Sequence, residues 1–199
     1  IHYVLEKTAA DVAALGAATE SGENPWKTVT KSAVREFAKK HIEEYAKSAL
    51  GGLEDKTPRF VYLFDRLRGR VFSMLENMVD EFSVSRFIPI NFERDIGENG
   101  QTYFEYGGRK IPLSGRIDRI DLWESGGKKY IRVVDYKSGS KKFDYGDVEY
   151  GLGIQLLLYL FALAAEDPDI VPAGVMYIPA LSKTIRVDCA KTREKIAED

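Results

Sequence analysis

The 199-residue chain has one cysteine, Cys189. A single cysteine excludes an intrachain disulfide and a cysteine-built metal cluster, and it fits a reducing cytoplasm. Long apolar runs are missing as well. No stretch approaches the roughly 20 apolar residues of a membrane span, and no signal peptide is visible. Basic charge is not in excess: 29 Lys and Arg stand against 31 Asp and Glu, a net charge of −2. Such a total does not advertise a nucleic-acid binder, but the acidic ligands of a metal-dependent nuclease would offset a basic groove. The phosphate loop Gly-x-x-x-x-Gly-Lys-Ser/Thr is absent, so ATP hydrolysis is not assigned here. There is no internal repeat and no low-complexity tract. The chain opens on Ile1 rather than Met and reads as a piece of a longer polypeptide. With 44% hydrophobic residues it is long enough for one soluble domain with a substantial core.

The informative stretch is Gly115-Arg116-Ile117-Asp118-Arg119-Ile120-Asp121 together with Val133-Val134-Asp135-Tyr136-Lys137. Leu113 to Trp123 and Tyr130 to Lys137 are rich in Ile, Val and Tyr, and turn chemistry at Glu124 to Lys128 separates them. The simplest pairing is an antiparallel hairpin with a five-residue loop. Alternation places Ile131, Val133, Asp135 and Lys137 on one face and Arg132, Val134 and Tyr136 on the other. A carboxylate and an ammonium about 7 Å apart then end a strand that begins in the core. Asp118 on the partner strand approaches Asp135. Two facing carboxylates repel unless something positive lies between them. A hard cation such as Mg2+ or Mn2+ suits such ligands, and a neighbouring lysine suits phosphate chemistry. The competing reading is a surface hairpin with solvated ion pairs, each worth little.

Asp118 followed by Asp135-Tyr136-Lys137 resembles the signature of the PD-(D/E)xK nuclease superfamily. Gln155 and Tyr159 match the Gln-x-x-x-Tyr motif of its RecB-like branch, and at i and i+4 they are neighbours on one helix face. Ile1 to Glu6 is similar to that branch's first helix, whose histidine is a metal ligand. Arg59 to Leu67 and Phe87 to Glu93 resemble segments of AddB-type subunits of bacterial helicase–nucleases. The resemblance implies a restriction-endonuclease-like core, a mixed α/β (α+β) sheet flanked by helices. Residues 1–84 form a helical region carrying the histidine helix, and 85–199 the nuclease core. It further implies that Asp118, Asp135, His2 and the backbone carbonyl of Tyr136 bind Mg2+ or Mn2+. Lys137 positions or activates water, while Gln155 and Tyr159 orient Lys137 or the bound strand. Arg116 contacts phosphate or makes a structural ion pair, and Glu93 is an accessory carboxylate or a solvated strand residue. Lys141 and Lys142, just after Lys137, are candidates for phosphate contacts. The implied activity is exonucleolytic cleavage of single-stranded DNA ends in double-strand-break repair and recombination, with an AddA-like partner subunit. The family's iron–sulfur cluster needs four spaced cysteines, which this chain lacks. Rival readings are a stand-alone RecB-like or Cas4-like nuclease acting on DNA ends, the second weakened by the cysteine pattern, and a non-catalytic DNA-guiding or partner-binding module.

Elsewhere the pattern predicts helices over Ile1 to Gly16, from Thr28 or Thr30 to Leu50, and from Thr57-Pro58 to Phe82. Val34, Phe37, Ala38, His41 and Tyr45 form one stripe, with His41 a packed histidine. Phe60, Leu63, Phe64, Leu67, Phe72, Leu75 and Met78 form another, expected to pack rather than to stack on DNA. Ser85 to Lys137 reads as a meander of four or five strands. A helix over Gly151 to Glu166, strands at Ala173 to Pro179 and Thr184 to Val187, and a final helical turn from Ala190 complete the expectation.

Overall fold

The computed structural model describes residues 1–17, 24–97, 102–137 and 144–179. Three helices come first: α1 (His2–Ala17), α2 (Lys31–Leu50) and α3 (Pro58–Val84). Local chemistry sets the start and stop of α2 and the start of α3. Thr30 caps α2 by accepting the Ala33 N–H, and Thr57 caps α3 by accepting the Phe60 N–H, with Pro58 in the first turn. Gly51 ends α2 in the left-handed conformation at φ 71°, which a side chain would strain. On α2 the buried residues are Val34, Ala38, His41, Ile42 and Ala46. Tyr45, expected on that stripe, is 40% exposed and stands against Tyr3 instead. His41 is packed, with Nε2 2.7 Å from Asp11 Oδ2 and Nδ1 3.2 Å from Glu44 Oε2.

The long stripe of α3 divides in two. Val71, Met74, Leu75, Met78, Val79 and Phe82 are buried, whereas Phe60, Leu63 and Leu67 are exposed. Periodicity alone gave no sign of this, because the sheet lies under only the second half of the helix.

The main sheet has the order β1-β4-β5-β6, from β1 (Ile88–Ile96), β4 (Gly115–Ser125), β5 (Lys128–Lys137) and β6 (Ile170–Pro179). The first three strands pair antiparallel and β6 joins β5 in parallel. The parallel pair requires a crossover, and α5 (Gln155–Glu166) supplies it after the short helix α4 (Tyr145–Glu149). Two sequence expectations are corrected here. Strands β2 (Tyr103–Tyr106) and β3 (Arg109–Pro112) form their own two-stranded sheet, so β1 pairs directly with β4 and there is no continuous meander. The β4–β5 connection is two residues long, not five. Gly126 and Gly127 have φ 59° and 73°, the left-handed pair whose twist matches flanking strands. The segment from Thr184 onward lies outside the described residues.

Two cores result. One packs Leu5, Val12, Val34, Leu75 and Phe82 of the helices against Phe92 and Tyr136 of the sheet. The other packs Ile120, Ile131 and Val133 against Leu156, Leu160 and Leu163 of α5. Leu75→Ala should therefore cost about 2–5 kcal/mol in urea denaturation, and Leu63→Ala on the exposed half no more than about 0.5 kcal/mol. Equal costs would contradict this division of α3.

Candidate metal centre

Alternation breaks at one level of the sheet. Phe92 packs against the three-helix core, but Arg94 reaches Glu166 of α5 and Ile96 enters the α5 core. A regular strand would keep residues 92, 94 and 96 on one face. Glu93 sits between them at φ 51°, left-handed for a residue with a side chain, and the strand rolls over there. The neighbouring strand β4 rolls over at the same height. Ile117 joins the α5 core, whereas Arg119 pairs with Glu81 of α3. Phe92 pairs with Arg119 and Arg94 with Ile117, so the residue opposite Glu93 is Asp118. Both strands turn on their acidic residues, and the carboxylates come to the boundary between the two cores.

The start of α1 meets this boundary. His2 Nδ1 contacts Glu93 Oε1 and lies 3.7 Å from Asp118 Oδ1. His2, Glu93 and Asp118 each offer a ligand atom, all within 4.8 Å of one another. Asp118 Oδ2 accepts the Tyr136 N–H at 2.7 Å. The carboxylate thereby takes a strand N–H just past Arg119–Val134, the last β4–β5 pair on that side. Burial pushes the Asp118 carboxyl above its ordinary value, and Asp135 and Glu93 add to this, against the Tyr136 N–H and His2. Asp135 Oδ2 is buried without a hydrogen bond and lies 2.7 Å from Lys137 Nζ as an ion pair. Lys137 Nζ is also 5.7 Å from the Tyr177 ring centre.

These donors fit a hard divalent cation: carboxylate and imidazole groups converge, with ligand atoms within 4.8 Å of one another. Glu93 is the residue whose weight changes most from sequence to structure. Its closeness to His2 depends on a backbone roll that residue pattern does not encode.

Of the remaining sequence candidates, Gln155 donates to Tyr159 Oη at 2.8 Å, as the i, i+4 spacing predicts. Both line an open groove of about 410 Å3 with Leu113, Ser114 and Gly153. Among the described contacts neither reaches Lys137. Their closest tie to it is Tyr177, whose hydroxyl donates to the Gly153 carbonyl at 3.2 Å. Arg116 forks onto Asp95, with Nε–Oδ1 2.6 Å and Nη2–Oδ2 3.0 Å, and reaches Glu93 at 3.4 Å. Lys141, Lys142 and Cys189 lie outside the described residues.

The profile of the PD-(D/E)XK nuclease superfamily matches residues 1–198. The chain belongs to this superfamily. Among curated proteins, it is 32% identical over 191 residues to an ATP-dependent helicase/deoxyribonuclease subunit of Thermoanaerobacter sp. (strain X514). That alignment covers 92% of this chain and 16% of the relative. The same-named protein of Clostridium acetobutylicum is 33% identical over 184 residues, 87% of this chain and 16% of that one. The one from Caldanaerobacter subterraneus is 35% identical over 181 residues, 86% and 15%. The chain thus spans about one sixth of the length of these relatives. The mixed sheet with helices on both faces is consistent with the restriction-endonuclease-like fold of the PD-(D/E)XK superfamily.

Two outcomes follow for this PD-(D/E)XK site. Because burial raises the Asp118 carboxyl, protons compete for it at higher pH than for an ordinary aspartate. The midpoint of the Asp118 carboxyl, followed by 13C NMR in the metal-free chain, should therefore lie above the 3.8 ordinary for that group. A midpoint at or below that value would contradict it. A Cβ on Gly115 would come within 1.7 Å of Tyr159 Oη, a ring that is 3% exposed. Gly115→Ala should displace that ring and cost about 1–3 kcal/mol in urea denaturation.

Proposed function

We propose that this chain is a divalent-metal-dependent deoxyribonuclease domain that hydrolyses DNA phosphodiester bonds. The observation that carries the reading is the meeting of His2, Glu93 and Asp118 one strand away from the Asp135–Lys137 pair. His2, Asp118, Asp135 and the Tyr136 carbonyl would hold the ion, with Glu93 as a further carboxylate. A bound Mg2+ or Mn2+ would polarise the phosphoryl oxygen and acidify a bound water. Lys137 supplies hydrogen bonds and positive charge where the attacking water and the developing phosphorane charge lie. Its pairing with Asp135 keeps it at the site before substrate arrives. Gln155 and Tyr159, fixed to each other, present a groove wall for the nucleic-acid strand, and Lys141 and Lys142 add phosphate contacts.

The relatives' shared name, ATP-dependent helicase/deoxyribonuclease, supports a place for this chain in a helicase–nuclease. In that setting the helical region (residues 1–84) and the sheet region (85–199) act as one nuclease unit. The substrate is a single-stranded DNA end delivered by a motor, cut exonucleolytically in double-strand-break repair and recombination in the cytoplasm. A companion protein supplies the remaining activities. Among the described residues no helix is long and apolar enough to cross a membrane.

The test is cleavage of end-labelled single- and double-stranded DNA with Mg2+, Mn2+ or EDTA, beside Asp135→Ala and Lys137→Ala. Cutting should require metal, and each substitution should reduce it by at least about 100-fold with the fold intact. Tight metal-independent DNA binding without cutting would favour a guiding module and defeat the nuclease reading.

A further inference from the structure

Behind the site, on the α3 side of the sheet, charge is buried where a hydrophobic core would be expected. Arg119 and Asp121 are both 0% exposed. Arg119 Nη2 donates to Asp121 Oδ2 at 3.0 Å and to Glu81 Oε2 at 3.3 Å. Arg132 Nε donates to Asp121 Oδ2 at 2.7 Å, and its Nη2 contacts Glu81. The Arg119 guanidinium also lies against the rings of Phe82 and Tyr136, at 5.1 and 5.6 Å from their centres. One Arg119 bond leaves this cluster: Nη1 donates to the Tyr136 hydroxyl at 2.8 Å. The hydroxyl in turn points its proton at Met78 Sδ, 3.7 Å away.

Tyr136 therefore belongs to two neighbourhoods at once. Its phenol is fixed by Arg119, while its own N–H holds Asp118 and its ring stands 5.9 Å from the His2 ring. Two of the three members of the candidate metal cluster thus rest on this one residue. An ordinary buried tyrosine needs one partner for its hydroxyl. A fully buried arginine is a costly way to provide it, since burying charge carries a large desolvation penalty.

We propose that Arg119 is a positioning residue for the metal cluster, acting through Tyr136. Asp121, Glu81 and Arg132 hold the guanidinium in place, and the guanidinium holds the phenol. The fixed phenol keeps the Tyr136 peptide aligned so that its N–H grips Asp118 Oδ2 and the ring backs His2. The inference rests on the metal-binding reading above, but its central link, from Arg119 to the Tyr136–Asp118 hydrogen bond, is independent of metal.

The test uses the whole 199-residue chain with Tyr136→Phe, which removes only the hydroxyl, and Arg119→Gln. Amide hydrogen exchange is followed at position 136 and, as internal controls, at Ile131 and Val133. Mn2+ affinity is measured alongside by calorimetry. In both variants exchange at position 136 should accelerate more than about tenfold over that of the two controls, and the Mn2+ Kd should rise about tenfold. A lower Tm with unchanged exchange at position 136, and a Kd within about twofold of the parent, would reduce the cluster to a structural ion pair and overturn the proposal. Should Arg119→Gln fail to fold, Tyr136→Phe decides alone. If the parent chain binds no Mn2+, the metal reading fails while the exchange data still decide whether Arg119 positions Tyr136.

Discussion

The structure depends on charge taken out of water between α3 and the sheet. Arg119, Arg132, Asp121 and Glu81 form a closed set in which each positive group meets two carboxylates. Burial works against the Arg119 charge, but the neighbouring carboxylates Asp121 and Glu81 favour it, and its pKa stays above the ordinary value. Burial likewise pushes the Tyr136 phenol up to about 12, so the hydroxyl keeps its proton at any working pH. A set like this has little freedom to be half-made. Removing one partner strands a buried charge at about 3–5 kcal/mol, whereas water screens a surface pair. The long helix is thus tied to one position on the sheet by groups that tolerate no substitute geometry.

From that attachment the rest of the site can be followed outward. The helices bring α1 over the sheet, and the start of α1 delivers His2 to a level where both β1 and β4 roll over on an acidic residue. Those rolls serve opposite demands. Strand β1 needs apolar side chains on two different faces, because it crosses from the three-helix core to the α5 core, while β4 keeps Ile117 and Ile120 in the α5 core and turns Arg119 to the helices. The residue at the crossing point belongs to neither. A carboxylate can occupy it without displacing hydrophobic packing, and left-handed backbone at Glu93 is the local cost of the change of face.

Much of this was legible in the sequence. Capping threonines, Gly51 and the Ile/Val-rich runs located the helices and the central strands, since local chemistry determines those boundaries. Asp135 and Lys137 stood out because charged residues end a strand that begins in the core, and Asp118, Gln155 and Tyr159 through the resemblance to the nuclease superfamily. What escaped has a common physical origin. The exposed half of α3, the separate β2–β3 hairpin and the approach of Glu93 to His2 are set by which elements meet in space. The buried arginine cluster escaped for a second reason. Arg119 and Arg132 alternate with apolar residues as solvent-facing strand residues do, and only the helix above them makes that face an interior.

The two-glycine turn between β4 and β5 acts as a ruler for the candidate site at the far end of the hairpin. Gly126-Gly127 lies about eight residues from Asp135, roughly 26 Å along an extended strand. It nevertheless fixes which residues of β5 stand opposite which residues of β4. Adding or deleting one residue there would leave both strands as hydrophobic and as well formed in isolation. Every side chain of β5 would then change sides, sending Arg132 toward α5 and Asp135 with Lys137 toward α3. Length at a remote, exposed turn is therefore as tightly constrained as the identity of the carboxylates themselves. The hairpin measures out the position of its own acidic end.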